Sequence, residues 1–235
     1  MSAGAPQQLV FDLPLDEATG AGDFLVSGSN SAAVDLIQSW PNWPLPSALL
    51  VGPPASGKSH LAAVWQARSN ARCMMAKDLS EDTVALFQRD DVQALAIEDI
   101  DRGIGDQRIL FHLLNHARET NRHLLLTSRL APGDLDIALP DLRSRLRALA
   151  MITIAEPDDA LLGAVLVKLF SDRQLIVEPA VISYLIRHMD RSMDCARSIV
   201  SDIDTLALQR QRKVTRSTAA EALAIRGRGF EGSDE

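Results

Sequence analysis

Residues 52–59 read Gly-Pro-Pro-Ala-Ser-Gly-Lys-Ser, which fits G-x-x-x-x-G-K-[ST]. No other stretch limits the fold as strongly. Such a loop works only where a buried strand enters a tight turn and a helix leaves it, so that backbone N–H groups and the helix N-terminus converge on one anion. The flanks meet that demand. SALLV (47–51) is a short apolar run with strand character, and GKSHLAAVWQARS has helical spacing. Gly52, Pro53, Pro54, Ala55, Ser56, Gly57, Lys58, Ser59 and the adjoining His60 are the expected nucleotide-binding residues. Lys58 would reach the β- and γ-phosphates, and the Ser59 hydroxyl would ligate Mg²⁺. The bland alternative is a chance Gly/Pro turn with an exposed lysine, and the strand–loop–helix context speaks against it.

The rest of the chain extends that alternation. Strand character recurs at 71–76, 94–97, 123–128 and 150–155, with helical patterns between. Short buried strands alternating with helices imply a parallel five-stranded sheet covered on both faces, an α/β domain. The alternation stops at Glu156-Pro157-Asp158-Asp159, where a proline followed by acids signals a helix start. From there only helices are expected, at about 159–171, 179–188, 193–211 and 217–225. The expected organisation is a flexible leader at 1–23, an α/β nucleotide-binding domain at 24–156, a small all-helical lid domain at 157–226 and a disordered tail at 227–235.

Composition narrows the function classes. Hydrophobic residues make up 46% of the 235-residue chain and aromatics only 4%, so the core rests on aliphatic side chains. A formal net charge of −7 argues against a protein that coats duplex DNA. Cys73 and Cys195 are far apart and read as free thiols in a reducing cytoplasm. No apolar run has the length of a membrane span.

The third strand ends in Ile97-Glu98-Asp99-Ile100-Asp101. A buried strand ending in two acids is the expected partner of a phosphate loop. Glu98 would hold hydrated Mg²⁺ and Asp99 would orient or activate water, so both are candidate catalytic groups. An ordinary solvated strand end is the competing reading.

These residues resemble a family. FLVSGSN (24–30), the phosphate loop followed by His60-Leu61, the IEDID strand, LLLTS followed by Ala131-Pro132, and LPDLRSRL (139–146) together resemble the AAA+ module of the bacterial replication initiator DnaA, over about residues 23–213. The resemblance implies that the opening stretch lies beside an adenine, that the loop and acidic strand end bind ADP or ATP with Mg²⁺, and that the helical domain is a lid. It also implies that LRSRL supplies an arginine finger to a neighbouring subunit's nucleotide. Arg145 occupies the matching place, with Arg143 the next candidate, and a solvated basic helix is the alternative for both.

Several positions depart from the initiator pattern. After Lys213 the sequence leaves room for one short helix, so a DNA-reading domain is not expected here. Arg129 stands where the initiator has its sensor aspartate. Asp194 stands where a lid arginine would touch the nucleotide, with Arg191 and Arg197 nearby, and the acidic pair begins with Glu98 rather than Asp. A module that keeps the finger and lacks a DNA reader resembles the Hda family, the regulatory homologues of DnaA. That resemblance implies partners: the DNA polymerase sliding clamp and DnaA itself, with DNA met only indirectly or weakly and a homodimer compatible with the architecture.

The same resemblance gives a use to QQLVFDLP (7–14), whose apolar residues alternate like a strand without an evident pairing partner. Gln8, Leu9, Phe11 and Leu13 fit a clamp-binding pattern near Q-L-x-[LF]-x-[LF], in which an extended peptide places alternate apolar side chains in pockets. An edge strand on its own sheet is the structural alternative. For the whole chain the alternative function is an autonomous ATPase, a helicase loader or replication remodelling factor using Glu98 and Asp99 on its own nucleotide. His112 and His116, at i and i+4, have no third ligand in view and read as helix-surface residues. Trp40 and Trp43 read as packing. The basic group Arg210, Arg212, Lys213 and Arg216 reads as a solvated helix end or a weak DNA contact.

Overall fold

The computed structural model describes residues 25–210 and 213–230. The clamp-type peptide with Gln8, Leu9, Phe11 and Leu13 lies outside the described residues. The first domain runs α1 (Ser31–Ser39), β1 (Ser47–Val51), α2 (Lys58–Ser69), β2 (Arg72–Met75), α3 (Glu81–Gln88), β3 (Ala94–Glu98), α4 (Gln107–Thr120), β4 (His123–Ser128), α5 (Pro140–Arg147) and β5 (Ala150–Thr153). The strands form one sheet in the order β2-β3-β4-β1-β5, and every pair is parallel. β1 therefore lies between β4 and β5. The chain leaves β1 for the far edge and later crosses from β4 over β1 to β5. This reversal opens a crevice at the carboxyl end of β1, where open α/β sheets bind ligands.

Side-chain alternation explains how both faces are covered. Leu49, Leu95, Ile97, Leu124 and Leu126 point to a core built with Phe87 of α3, Leu110, Leu113 and Leu114 of α4, and Leu142 and Leu146 of α5. Ala48, Leu50, Ala94, Ala96 and Leu125 point to the other face, against Ala33 and Ile37 of α1 and Leu61 and Trp65 of α2. The alanines on this second face leave room for the fully buried Trp65 ring. Trp43 stacks on Trp65 at 5.2 Å and His123 meets Trp43 edge-on at 5.5 Å, so the tryptophans are packing, as expected. His116 differs from its expected surface place. Its ring meets Phe87 edge-on at 5.6 Å, because α3 packs over this turn of α4.

The lid starts where the sequence signals it. Asp158 caps α6 (Asp159–Asp172) by accepting a 2.7 Å hydrogen bond from the Leu161 N–H. α7 (Pro179–His188) follows with proline in its first turn, then α8 (Met193–Arg210) and α9 (Arg216–Phe230). Leu162, Leu166, Phe170, Leu185, Ile199 and Ile203 form a separate lid core. α9 runs to Phe230, beyond residue 226 where the lid was expected to end. The chain stays helical through Gly227 and Gly229, although each costs about 1 kcal/mol against alanine in a helix. Arg216 stacks its guanidinium on Tyr184, 4.7 Å from the ring centroid, so this member of the basic group has a packing role. Among the described residues no helix is long and apolar enough to cross a membrane.

Candidate functional site

The loop after β1 is shaped by two glycines. The Gly52 N–H donates to the Ser128 carbonyl at 3.1 Å, which anchors the loop to the end of β4. A Cβ on Gly52 would stand 2.7 Å from the Ile154 carbonyl oxygen and 2.8 Å from Ser56 Oγ, so only glycine fits. Gly57, with φ of 98°, turns the chain into α2, whose N-terminus has no side-chain cap. Its first N–H groups remain for an anion. Ala55 takes φ of 56°, and its carbonyl accepts from the Met193 N–H at 3.4 Å, joining the loop to the start of α8 in the lid.

Lys58 is buried. Its Nζ donates to the Gly52 and Pro53 carbonyls, each at 2.7 Å. Burial lowers its pKa from the ordinary lysine value; Asp99 and Asp101 oppose that shift and Arg129 adds to it. Loop, strand ends and lid together enclose a cavity of about 360 Å³, which reaches Lys58, Ser59, Asp99, Arg129, Asp194 and Arg197 among its walls. A second cavity of about 270 Å³ adjoins it, between Leu25 and Asn30 of the opening stretch and Leu161, Val165 and Leu169 of α6. Gly57, His60, Met193 and Arg197 line both. One is polar and cationic and the other mainly apolar, the division that a phosphate chain and a planar base require. Asn30 shapes the base side from within: its Oδ1 accepts from the Ser27 N–H at 2.8 Å and its Nδ2 donates to the Leu25 carbonyl at 3.0 Å. His60, between the two cavities, has its pKa lowered by burial and by the Arg197 charge.

The acidic strand end divides. Asp99, at φ of 57°, lines the phosphate cavity; its N–H donates to Thr127 Oγ1 at 3.0 Å, and its carboxylate lies 3.4 Å from Arg102. The Glu98 carboxylate instead accepts from the Cys73 thiol at 3.2 Å across the β2–β3 pair. Ser59 and Asp99 present hydroxyl and carboxylate oxygens beside the phosphate space. Mg²⁺ takes such hard donors one or two at a time, with phosphates and water completing its shell. Among the described residues no group of three or more His, Cys, Asp or Glu is placed to hold a metal ion.

Asp101 and Arg197 complete the site, and neither was among the expected site residues. Asp101 takes the N–H and Nε of Arg129 at 2.9 and 2.5 Å, with no exposure of its own side chain. Its place two residues past Asp99 was the available signal. Arg197 follows Asp194 by one helical turn and pairs with it at 3.5 Å. That spacing carries Arg197 into the same cavity walls as Asp194. Arg191 turns elsewhere, to Asp159 at 2.5 Å.

Arg145 is half-buried on α5, and its Nη2 donates to Asn115 Oδ1 on α4 at 2.6 Å. Arg143 donates to the Ile137 carbonyl. Neither lines the cavities at the phosphate loop.

A phosphate loop at the switch point of a β2-β3-β4-β1-β5 parallel sheet, closed by a helical lid, defines an AAA+ nucleotide-binding module. Residues 159–217 match the family model described as Hda, lid domain. Domain III of the Thermotoga maritima replication initiation protein DnaA superposes with a TM-score of 0.72 at 19% identity, covering 90% of this chain and 98% of that one. The replication initiator DnaA bound to AMPPCP and single-stranded DNA gives 0.66 at 19% identity, covering 84% and 69%. The Thermotoga maritima RuvB Holliday junction branch migration motor gives 0.65 at 15%, covering 82% and 66%. At these identities the superpositions speak for the fold. The lid match places residues 159–217 with the Hda-type lid, and the superpositions give the chain the fold of DnaA domain III.

Proposed function

We propose that this chain is a regulatory AAA+ adaptor of chromosome replication. It holds ADP or ATP with Mg²⁺ between phosphate loop and lid, docks on the sliding clamp through Gln8, Leu9, Phe11 and Leu13, and presents Arg145 to ATP bound by DnaA. Hydrolysis then takes place on the partner, in the cytoplasm, and re-initiation is restrained. The observation that carries the reading is the Hda-type lid at 159–217 joined to a complete phosphate loop. The DnaA structure bound to AMPPCP supports an adenine nucleotide as the ligand. The position of Arg145, on α5 and away from its own chain's cavity, supports a role on another subunit's nucleotide. A guanidinium placed there stabilises charge on the transferring phosphoryl group, an effect worth about 10³- to 10⁵-fold in other NTPases. DNA contact is weak or indirect, and self-association leaves the assignment unchanged.

The test is stimulation of DnaA ATPase by the full chain with clamp loaded on DNA. Arg145→Ala keeps clamp binding and removes stimulation. Gln8→Ala with Leu9→Ala removes clamp capture and leaves nucleotide binding intact. Stimulation that survives Arg145→Ala assigns the finger elsewhere, with Arg143 next. A second reading, an autonomous loader-type ATPase, draws on Asp99 facing Lys58 and Ser59 across one cavity. It requires rapid single-turnover hydrolysis without clamp or DnaA, lost in Glu98→Gln or Asp99→Asn.

A further inference from the structure

Arg129 brings a permanent positive charge to the wall of the phosphate cavity. It follows Ser128 at the carboxyl end of β4. Its N–H and Nε both go to Asp101, at 2.9 and 2.5 Å. The Asp101 side chain has no solvent exposure, whereas that of Arg129 is 40% exposed. Asp101 therefore acts as a buried bracket on one edge of the guanidinium. The terminal nitrogens of Arg129 make no hydrogen bond to another described residue, and the side chain lines the cavity with Lys58, Ser59 and Asp99.

The two cavities give a ligand a direction. A base beside Leu25 and Leu161 sends its phosphates past Gly57 and His60 towards Lys58, and Arg129 stands on the β4 side of that path. A planar fork of donors suits phosphate oxygens, and charge-assisted bonds are the stronger kind. The charge of Arg129 is already felt at Lys58, whose pKa it lowers. An added anionic phosphate would relieve that repulsion.

We propose that Arg129, positioned by Asp101, grips the terminal phosphates of the bound nucleotide and sets the preference of the site for nucleoside di- and triphosphates over monophosphates. This rests on the nucleotide site proposed above. Asp101 is a positioning residue: it touches no phosphate and holds the fork in plane. Lysine at 129 would keep the charge and lose the fork.

The experiment is titration of the full chain with AMP, ADP and ATP in Mg²⁺ buffer, by calorimetry and by displacement of a fluorescent ADP analogue. Wild type binds ADP and ATP more tightly than AMP. Arg129→Gln weakens ADP and ATP by about 10- to 100-fold and leaves AMP within about twofold, so the ADP-to-AMP ratio collapses. Arg129→Lys recovers part of the ratio. Asp101→Asn lowers it while Arg129 is present and has no effect once Arg129 is Gln. Loss of Arg129 alone strands a buried carboxylate, so the double variant Arg129→Gln with Asp101→Asn, which restores a neutral hydrogen-bonded pair, is measured beside the single ones. A wild-type ratio in a double variant that melts like wild type overturns the role of Arg129 and leaves the nucleotide site standing. Wild type that binds no adenine nucleotide overturns both.

Discussion

Gly52→Ala tests the construction of the loop directly. The new methyl carbon would lie 2.7 Å from the Ile154 carbonyl oxygen and 3.2 Å from Ile154 Cβ, inside the ~3.5 Å at which carbon contacts become favourable. Ser56 Oγ, at 2.8 Å, can rotate away, but Ile154 cannot. Its N–H is held by the Val51 carbonyl at 2.7 Å, the next N–H reaches Ser29 at 3.0 Å, and its side chain is buried in the second core. Gly52 itself is tied to Ser128. The backbone must shift by several tenths of an ångström, and overpacking of this kind costs about 1–3 kcal/mol. For a chain of this size that corresponds to a fall in Tm of about 2–12 °C. The shift also moves the carbonyl that receives Lys58 Nζ, so ADP affinity should fall with Tm. Gly133→Ala is the matched control. A Cβ there meets nothing within 4 Å, and the expected change is within about 0.5 kcal/mol. Thermal melting followed by fluorescence, with and without ADP, reads both quantities. If Gly52→Ala melts with the control and binds ADP as wild type does, the close approach to Ile154 is not what demands glycine here.

Gly57→Ala has open space around its Cβ but a φ of 98°, so it should cost about 1–2 kcal/mol through backbone strain alone, read as a smaller fall in Tm than that of Gly52→Ala. Burial pushes the Asp101 pKa up, but the N–H, guanidinium and charge of Arg129 outweigh it and leave the pKa lowered. A carboxylate depressed in the folded state stabilises above its unfolded pKa of about 3.9 and loses that contribution as pH falls through its folded value. The Tm gap between wild type and Asp101→Asn should therefore be widest near neutrality and close below about pH 4; a gap independent of pH would refute the ion pair. Cys73 is exposed on the edge strand, yet partial desolvation of its thiol, followed by the hydrogen bond and charge of Glu98, pushes its pKa up to about 11. It should react with a disulfide reagent at pH 8 more slowly than a free thiol, and Glu98→Gln should raise the rate only in part, because the partial desolvation remains. Equal rates for Cys73 and a small thiol at that pH would remove the Glu98 contact. Phe170→Ala, at the centre of the lid core, should cost about 3–5 kcal/mol and weaken nucleotide binding while the α/β domain keeps its own cooperative melt.

What could be read in the chain follows from what local chemistry controls. SALLV and HLLLTS were expected as strands at 47–51 and 123–128, and the structure has them there, because short aliphatic runs closed by glycine or by a polar turn leave the backbone little choice. The start of the lid was legible for the same reason, since Pro157 and Asp158 act on the turn that contains them. The expected strands at 71–76 and 150–155 shorten to Arg72–Met75 and Ala150–Thr153, because the edges of a sheet have one neighbour to pair with rather than two. Pairings between distant residues were not legible. Arg129 looked like a lost sensor, and nothing within ten residues of it explains why a cation is tolerated beside Lys58. The answer depends on β3 lying next to β4. That adjacency brings Asp101, just past the end of one strand, against Arg129, just past the end of the other. Arg145 depends likewise on α5 packing across α4 to meet Asn115. In both cases an arginine that reads as an exposed charge is held by a partner about 30 residues earlier in sequence. A guanidinium held at one edge keeps its remaining donors in a fixed direction and loses less entropy when an anion arrives. That separates Arg145, joined to a side-chain acceptor, from Arg147 two residues on, which shares its helix and its charge and has no such partner among the described residues.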